Sequence, residues 1–191
     1  MALVDYHSVV LRDLFWITVG AAAAAELALQ VRTRSGDDRD PSYVWMLTGS
    51  FVGIGLAFAA AGVSDRLAGP RWLPGVAGLA LMWVGFALRV WAVRTLGELF
   101  RVEVSVGQDQ RLVDTGPYAR LRHPSYTGLL VFYLGLGVGL DSYLSMAAAV
   151  LLPLAAIVNR IGHEERTLRR ELGEAYDVYS ARTARLIPGV W

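Results

Sequence analysis

The strongest constraint on this chain is a series of apolar runs, each close to the length needed to cross a bilayer. A helix needs about 20 mostly apolar residues to span the hydrocarbon core, slightly fewer where the bilayer thins. The runs are Leu14 to Val31, Tyr43 to Val63, Leu73 to Leu96, Pro124 to Leu140 and Tyr143 to Val158. Only "DS" separates the last two, so they read as a helical hairpin, with Gly128, Gly135, Gly137 and Gly139 allowing its helices to approach closely. Pro153 is expected to kink the last run. The expected fold is therefore all-α and polytopic, with about five transmembrane helices. Three occupy residues 1–96, and residues 97–191 add a polar loop, the hairpin and a C-terminal helix, all within one integrated domain.

Charge placement orients the spans. All 18 basic residues are arginine, a composition that reads as bacterial. In a five-span arrangement one face receives Arg32, Arg34, Arg39, the arginines of the 97–122 loop and those from Arg160 onward. The other receives only Arg12, Arg66 and Arg71. The positive-inside rule puts the arginine-rich face and the C-terminus in the cytoplasm. The expected location is a multi-pass integral membrane protein, in the inner membrane if bacterial. The apolar run from Leu14 follows "RD" rather than a basic cluster, which does not read as a cleavable signal peptide.

The same inventory narrows the chemistry. Cysteine is absent, which excludes disulfides, a thiolate nucleophile and thiolate-bound zinc. The three histidines, His7, His123 and His163, are scattered, so no metal site is expected. The arginines are balanced by 17 acidic residues, so nucleic acid is not an expected partner. Neither common nucleotide-binding glycine motif is present. Two ionisable residues fall inside spans, Glu26 and Arg89. Intramembrane charges are functional candidates or snorkelling side chains, and the two are able to pair.

After Val158 the chain turns polar but stays periodic. Over Arg160 to Ala181, Ile161, Leu168, Leu172, Tyr176 and Tyr179 recur at three- and four-residue steps, predicting a cytoplasmic amphipathic helix. Glu165 falls on the edge of that apolar face and needs a partner there. Local candidates are Glu165 with Arg169 and Arg160 with Glu164. The opposite polar block is "GPYARLRHPSYTG", Gly116 to Gly128. Pro124 suits the first turn of a helix and leaves His123 at its threshold. That helix end, Arg120 and Arg122 favour an anion, and Tyr118 and Tyr126 offer flat faces and hydroxyls. The block reads as a receptor for a small ligand carrying an aromatic base and a carboxylate.

These two blocks carry a resemblance. "GPY" at Gly116 to Tyr118, "RHPSYTG" at Arg122 to Gly128, Arg160, the pair Glu164 and Glu165, Leu168, "GEAYDVY" at Gly173 to Tyr179 and Pro188 resemble the isoprenylcysteine carboxyl methyltransferases and their phospholipid methyltransferase relatives. The resemblance covers the C-terminal half; the first three spans match only as hydrophobic helices. It implies an integral-membrane methyltransferase that uses S-adenosyl-L-methionine, with a polar cofactor from the cytoplasm and a lipophilic or lipidated acceptor from the bilayer. It implies Arg160 as the group that holds an acceptor carboxylate, with Glu164 orienting it or contacting the cofactor. Leu112, Val113, Gly116, Tyr118, Arg122, His123, Tyr126 and Glu165 are implied at the cofactor. A phenolic or enolic hydroxyl, or a phospholipid amine, is an alternative acceptor. A nicotinamide-dependent membrane reductase and a non-catalytic scaffold are the readings from other classes.

Overall fold

A computed structural model describes residues 2–33, 41–63, 66–97 and 112–191. Six α-helices follow in order: α1 (Ala2–Thr33), α2 (Pro41–Ala60), α3 (Leu73–Leu96), α4 (Pro124–Gly139), α5 (Tyr143–Leu172) and α6 (Glu174–Arg182). A short 3-10 turn, Gly116–Ala119, precedes α4. Of these, α2, α3 and α5 are long and apolar enough to cross a membrane. At 16 residues, α4 is shorter than a full crossing of about 20. The expected Leu14 to Val31 run lies within α1.

Two helix pairs organise the bundle, α3 with α4 and α2 with α5, while α4 also packs on α5. Small residues make these approaches possible. A Cβ on Gly85 would lie 2.4 Å from the backbone nitrogen of Phe132, and one on Gly135 would lie 2.6 Å from that of Met82. On α2, Gly53 leaves room for Pro153, whose Cδ would be 2.8 Å from an added Cβ. Ser145 Oγ donates to the Ala57 carbonyl at 2.7 Å, fastening the start of α5 to α2. An apolar core of Phe15, Ala57, Met82, Leu136 and Ala149 fills one end of the bundle.

The structure differs from the sequence expectation in two places. The glycines of α4 do not chiefly serve the hairpin. Gly128 and Gly135 face α3, Gly139 faces Phe15 of α1, and only Gly137 approaches α5, at Met146. The predicted break between a last span and a separate tail helix is also absent. α5 runs unbroken through 30 residues, because nothing between Val158 and Arg160 interrupts backbone hydrogen bonding. The helix stops instead at Gly173, whose φ of 52° is open to glycine. The tail is thus the polar end of α5 followed by α6, not one helix. Most of the expected polar loop, residues 98–111, lies outside the described residues, so that expectation is not tested.

Candidate active site

The two polar blocks meet at one end of the bundle, and backbone bonds fix them together. Arg122 N donates to the Ala184 carbonyl at 2.7 Å, His123 N to that of Arg185 at 3.1 Å, and Ala184 N to that of Arg120 at 3.1 Å. The threshold of α4 is therefore clamped against the segment after α6. Tyr179 reinforces the clamp, its hydroxyl donating to the Tyr118 carbonyl at 2.9 Å.

Glu165 is the electrostatic centre of the clamp. It is 2% exposed. Arg122 Nε donates to its Oε1 at 2.9 Å, Arg185 Nη2 donates to its Oε2 at 2.9 Å, and His123 Nε2 lies 3.5 Å from Oε1. The carboxylate in turn holds the Arg185 guanidinium above its ordinary pKa. Arg122 Nη1 also donates to the carbonyls of Ser180 and Thr183. These contacts replace the local pairs expected from sequence. Arg169 bonds Asp177 rather than Glu165, and Arg160 bonds the Tyr126 hydroxyl and Ser42 rather than Glu164.

Glu164, one residue earlier, faces differently. Its side chain is 28% exposed and lines a cavity of about 120 Å³ with Leu112, Val113, Tyr118, Arg122 and Tyr176. Tyr126 donates to Glu164 Oε2 at 3.0 Å, and Arg160 Nε donates to the Tyr126 hydroxyl at 3.3 Å. Arg160 is 1% exposed, donates to Ser42 Oγ at 2.7 Å and lies over the Tyr43 ring. His123 and Tyr126 stack with ring centroids 5.7 Å apart.

Of the ten residues expected at the site, Leu112, Val113, Tyr118, Arg122 and Glu164 line this cavity. His123, Tyr126, Arg160 and Glu165 stand behind it and are tied to its walls. Gly116 packs against Thr95 and Trp91 of α3, in a left-handed conformation at φ 57°. Sequence reasoning did not place Leu96, Leu168, Leu172, Tyr176 or Tyr179 at the site, although all five line the cavity. The last four lie on the periodic stripe already visible in the tail; that stripe is a cavity wall as well as a packing face.

The cavity suits a polar ligand with an aromatic portion. Burial raises the Tyr118 and Tyr176 hydroxyls and pushes Tyr179 up to about 12, so all three stay neutral donors. The buried Tyr176 hydroxyl has no hydrogen-bond partner among the described residues. Such a group is costly unless a ligand or water satisfies it. Among the described residues no cluster of histidine and carboxylate side chains is arranged to hold a metal.

A second, larger cavity of about 450 Å³ opens between α1, α2, α3 and α4. Its walls are mostly apolar, among them Val19, Leu47, Phe86 and Phe132, but Glu26 and Arg89 also line it. These two are paired at 2.7 Å.

Known proteins similar to this chain point to one family. The family model for the isoprenylcysteine carboxyl methyltransferase family matches residues 78–170. A probable protein-S-isoprenylcysteine O-methyltransferase from Oryza sativa subsp. indica is 30% identical over 119 residues, covering 61% of this chain and 62% of its own. Protein-S-isoprenylcysteine O-methyltransferase B of Arabidopsis thaliana is 31% identical, covering 59% of this chain and 58% of its own. The Homo sapiens protein-S-isoprenylcysteine O-methyltransferase is 32% identical, covering 61% of this chain and 42% of its own. The matched region thus spans about three-fifths of the plant proteins and about two-fifths of the human one. A solved structure of the eukaryotic intramembrane Ras methyltransferase, isoprenylcysteine carboxyl methyltransferase, superposes with a TM-score of 0.59 at 28% identity, over 81% of this chain and 55% of that one. The family match runs from α3 through α4 into the charged end of α5, and over that stretch the chain is similar to the isoprenylcysteine carboxyl methyltransferase family.

Proposed function

We propose that this protein is an integral-membrane methyltransferase that moves a methyl group from S-adenosylmethionine to the carboxylate of a lipophilic acceptor. The observation that carries the reading is a pair of cavities, one where the two polar blocks meet and one among the helices. One is small and lined by three tyrosines, Arg122 and Glu164 beside five aliphatic side chains, the more polar of the two; the other is large, apolar and set among the helices. At about 450 Å³ the apolar one lies within the roughly 300–1,000 Å³ typical of small-molecule sites. α3 lines both, through Val93 and Arg94 on one side and Leu96 on the other.

The residues of the polar cavity fit the cofactor. Glu164 suits an ammonium, Arg122 a carboxylate, the tyrosine faces an aromatic base, and the unsatisfied Tyr176 hydroxyl a further polar atom. When bound, the cofactor supplies an electrophilic methyl group on a sulfonium sulfur. The acceptor carboxylate is already ionised at neutral pH, so no side chain has to remove a proton. The protein's task is alignment and exclusion of water. Arg160 fixes Tyr126, and Tyr126 fixes Glu164 at the cavity wall. Arg122, His123 and Arg185 around Glu165 hold the α4 threshold and the last segment together as one wall. The polar cavity is read as facing the cytoplasm and the apolar cavity as opening towards lipid.

The test is methyl transfer from labelled S-adenosylmethionine to S-farnesylcysteine by the purified full chain in lipid nanodiscs. A carboxyl methyl ester releases volatile methanol in base, whereas a methyl ether or methylamine does not. Base-labile product is the expected result. Base-stable label on endogenous lipid would move the acceptor to a hydroxyl or amine, with Glu164 as the base. Thermal stabilisation by NADPH and none by S-adenosylhomocysteine would replace the methyltransferase reading with a reductase.

A further inference from the structure

Arg89 lies outside both sequence blocks that carry the resemblance, yet it lines the apolar cavity and is bonded to the first turn of α4. It is 9% exposed and sits on α3 one turn beyond Gly85. Nε donates to Glu26 Oε2 at 2.8 Å, Nη2 to Glu26 Oε1 at 2.7 Å, and Nη1 to Ser125 Oγ at 2.5 Å. Arg89 and Glu26 both line the apolar cavity. Burial raises the Tyr118 hydroxyl, in the wall of the smaller cavity, and the Arg89 charge is a minor influence in the opposite direction. Ser125 lies between Pro124 and Tyr126, so the guanidinium is tied to the first turn of α4. An acceptor whose chain fills the apolar cavity meets this guanidinium in the cavity wall, next to the first turn of α4.

Arg160 contrasts with it. Arg160 is 1% exposed, lines neither cavity and is committed to Ser42, Tyr126 and the Tyr43 ring. A charge recognises an acceptor only where the acceptor reaches it. A guanidinium carries five N–H donors, and Arg89 uses three of them among the described residues. Glu26 is the more exposed member of the pair, its side chain 30% exposed against 11% for Arg89.

We propose that Arg89 is the specificity-determining residue of the acceptor site, receiving the carboxylate of an apolar-chain acid, and that Glu26 is an internal carboxylate competing for the same guanidinium. The proposal rests on the carboxylate reading above. It gives the two members of one ion pair opposite effects. Removing Arg89 abolishes the preference for a charged acceptor. Removing the charge of Glu26 strengthens it, because the guanidinium loses its resident anion. A pair that only braces α1 against α3 would weaken acceptor binding when either member changed.

The experiment measures binding rather than turnover. S-farnesylcysteine and its primary amide are titrated into the S-adenosylhomocysteine-saturated full chain in nanodiscs, and the ratio of their Kd values is compared. In the unaltered protein the carboxylate is expected to bind about tenfold tighter than the amide, as for a site built around a polar group. In Arg89→Gln the ratio falls to near one, with amide affinity held within about twofold. In Glu26→Gln the ratio rises by about threefold or more. A preference retained in Arg89→Gln, or lowered in Glu26→Gln, overturns the assignment. If Arg89→Gln loses its thermal shift with S-adenosylhomocysteine and so fails to fold, Arg89→Lys and Glu26→Gln decide. Lysine keeps the charge without the two-pronged geometry and lowers the ratio only in part, so an unchanged ratio counts against Arg89. No preference in the unaltered protein is a different failure, which removes the carboxylate reading itself.

Discussion

Glu164 and Glu165 are neighbours on α5 in opposite surroundings, and the sequence did not say which faced the site. Helical spacing put Glu165 on the edge of the apolar stripe, which implied a partner without naming it. The partners, Arg122 and Arg185, come from segments 43 and 20 residues away, and no local rule reaches that far. Different outcomes follow for the two glutamates. Glu165→Ala leaves Arg122 and Arg185 without their carboxylate in a buried clamp. Breaking such a pair from one side costs about 3–5 kcal/mol. A large fall in melting temperature, together with loss of the stabilisation by S-adenosylhomocysteine, is therefore expected in differential scanning. Glu164→Gln keeps shape and the hydrogen bond from Tyr126. Its melting temperature without ligand should stay near that of the parent, while cofactor affinity drops by about tenfold or more, as for loss of a charged hydrogen bond. Equal melting losses in the two variants would show that Glu164 is framework too.

At the scale of helices, the apolar runs and Pro124 placed α3 and α4 nearly to the residue and located α2 with its ends shifted by a few residues. Glycine spacing announced close packing but not the partner, because a small residue permits any neighbour to approach. That neighbour is α3. A Cβ on Gly128 would stand 2.7 Å from the Gly85 carbonyl oxygen and 2.8 Å from Arg89 N, and backbone atoms cannot rotate aside. Gly128→Ala should therefore destabilise the protein by about 1–3 kcal/mol, the usual penalty of overpacking, and disturb the Arg89–Ser125 contact one turn away. Gly55→Ala on α2 meets nothing within 4 Å and serves as the control. Removing a helix-interior glycine there should be neutral or stabilising by up to about 1 kcal/mol. Detergent-resistant melting curves of the two variants would separate the cases. A neutral Gly128→Ala would mean that α3 and α4 are not held at this distance. The continuity of α5 teaches a related point. The change from "LLPLAAIV" to "RIGHEER" marks a change of environment, and sequence reading mistook it for a change of backbone.

For the molecule as a whole, the remaining question is which way the bundle sits in the membrane. The end where α3 finishes and α4 begins also holds the charged half of α5, α6 and the polar cavity. Arg120, Arg122, Arg160, Arg166, Arg169, Arg170, Arg182 and Arg185 all lie at that end by sequence and element order. The opposite end has Arg66, paired with Asp141 at the turn between α4 and α5, and Arg71 just before α3. Transfer of arginine-rich segments across the inner membrane is disfavoured, so this asymmetry predicts that the polar cavity faces the cytoplasm. The prediction also has a chemical side, because S-adenosylmethionine is charged and is made in the cytosol, whereas the acceptor chain partitions into lipid. A fluorescent reporter that matures only in the cytoplasm, fused after Trp191, should be bright when the protein is expressed in a bacterial host. A phosphatase that folds only outside, fused at the same point, should be silent. Moving the asymmetry should move the signal: replacing Arg166, Arg169 and Arg170 by glutamine while adding arginines beside Arg66 should raise the phosphatase signal at the expense of fluorescence. An active phosphatase on the unaltered chain would place the polar cavity on the side without cofactor, and the proposed reaction would then have no methyl donor.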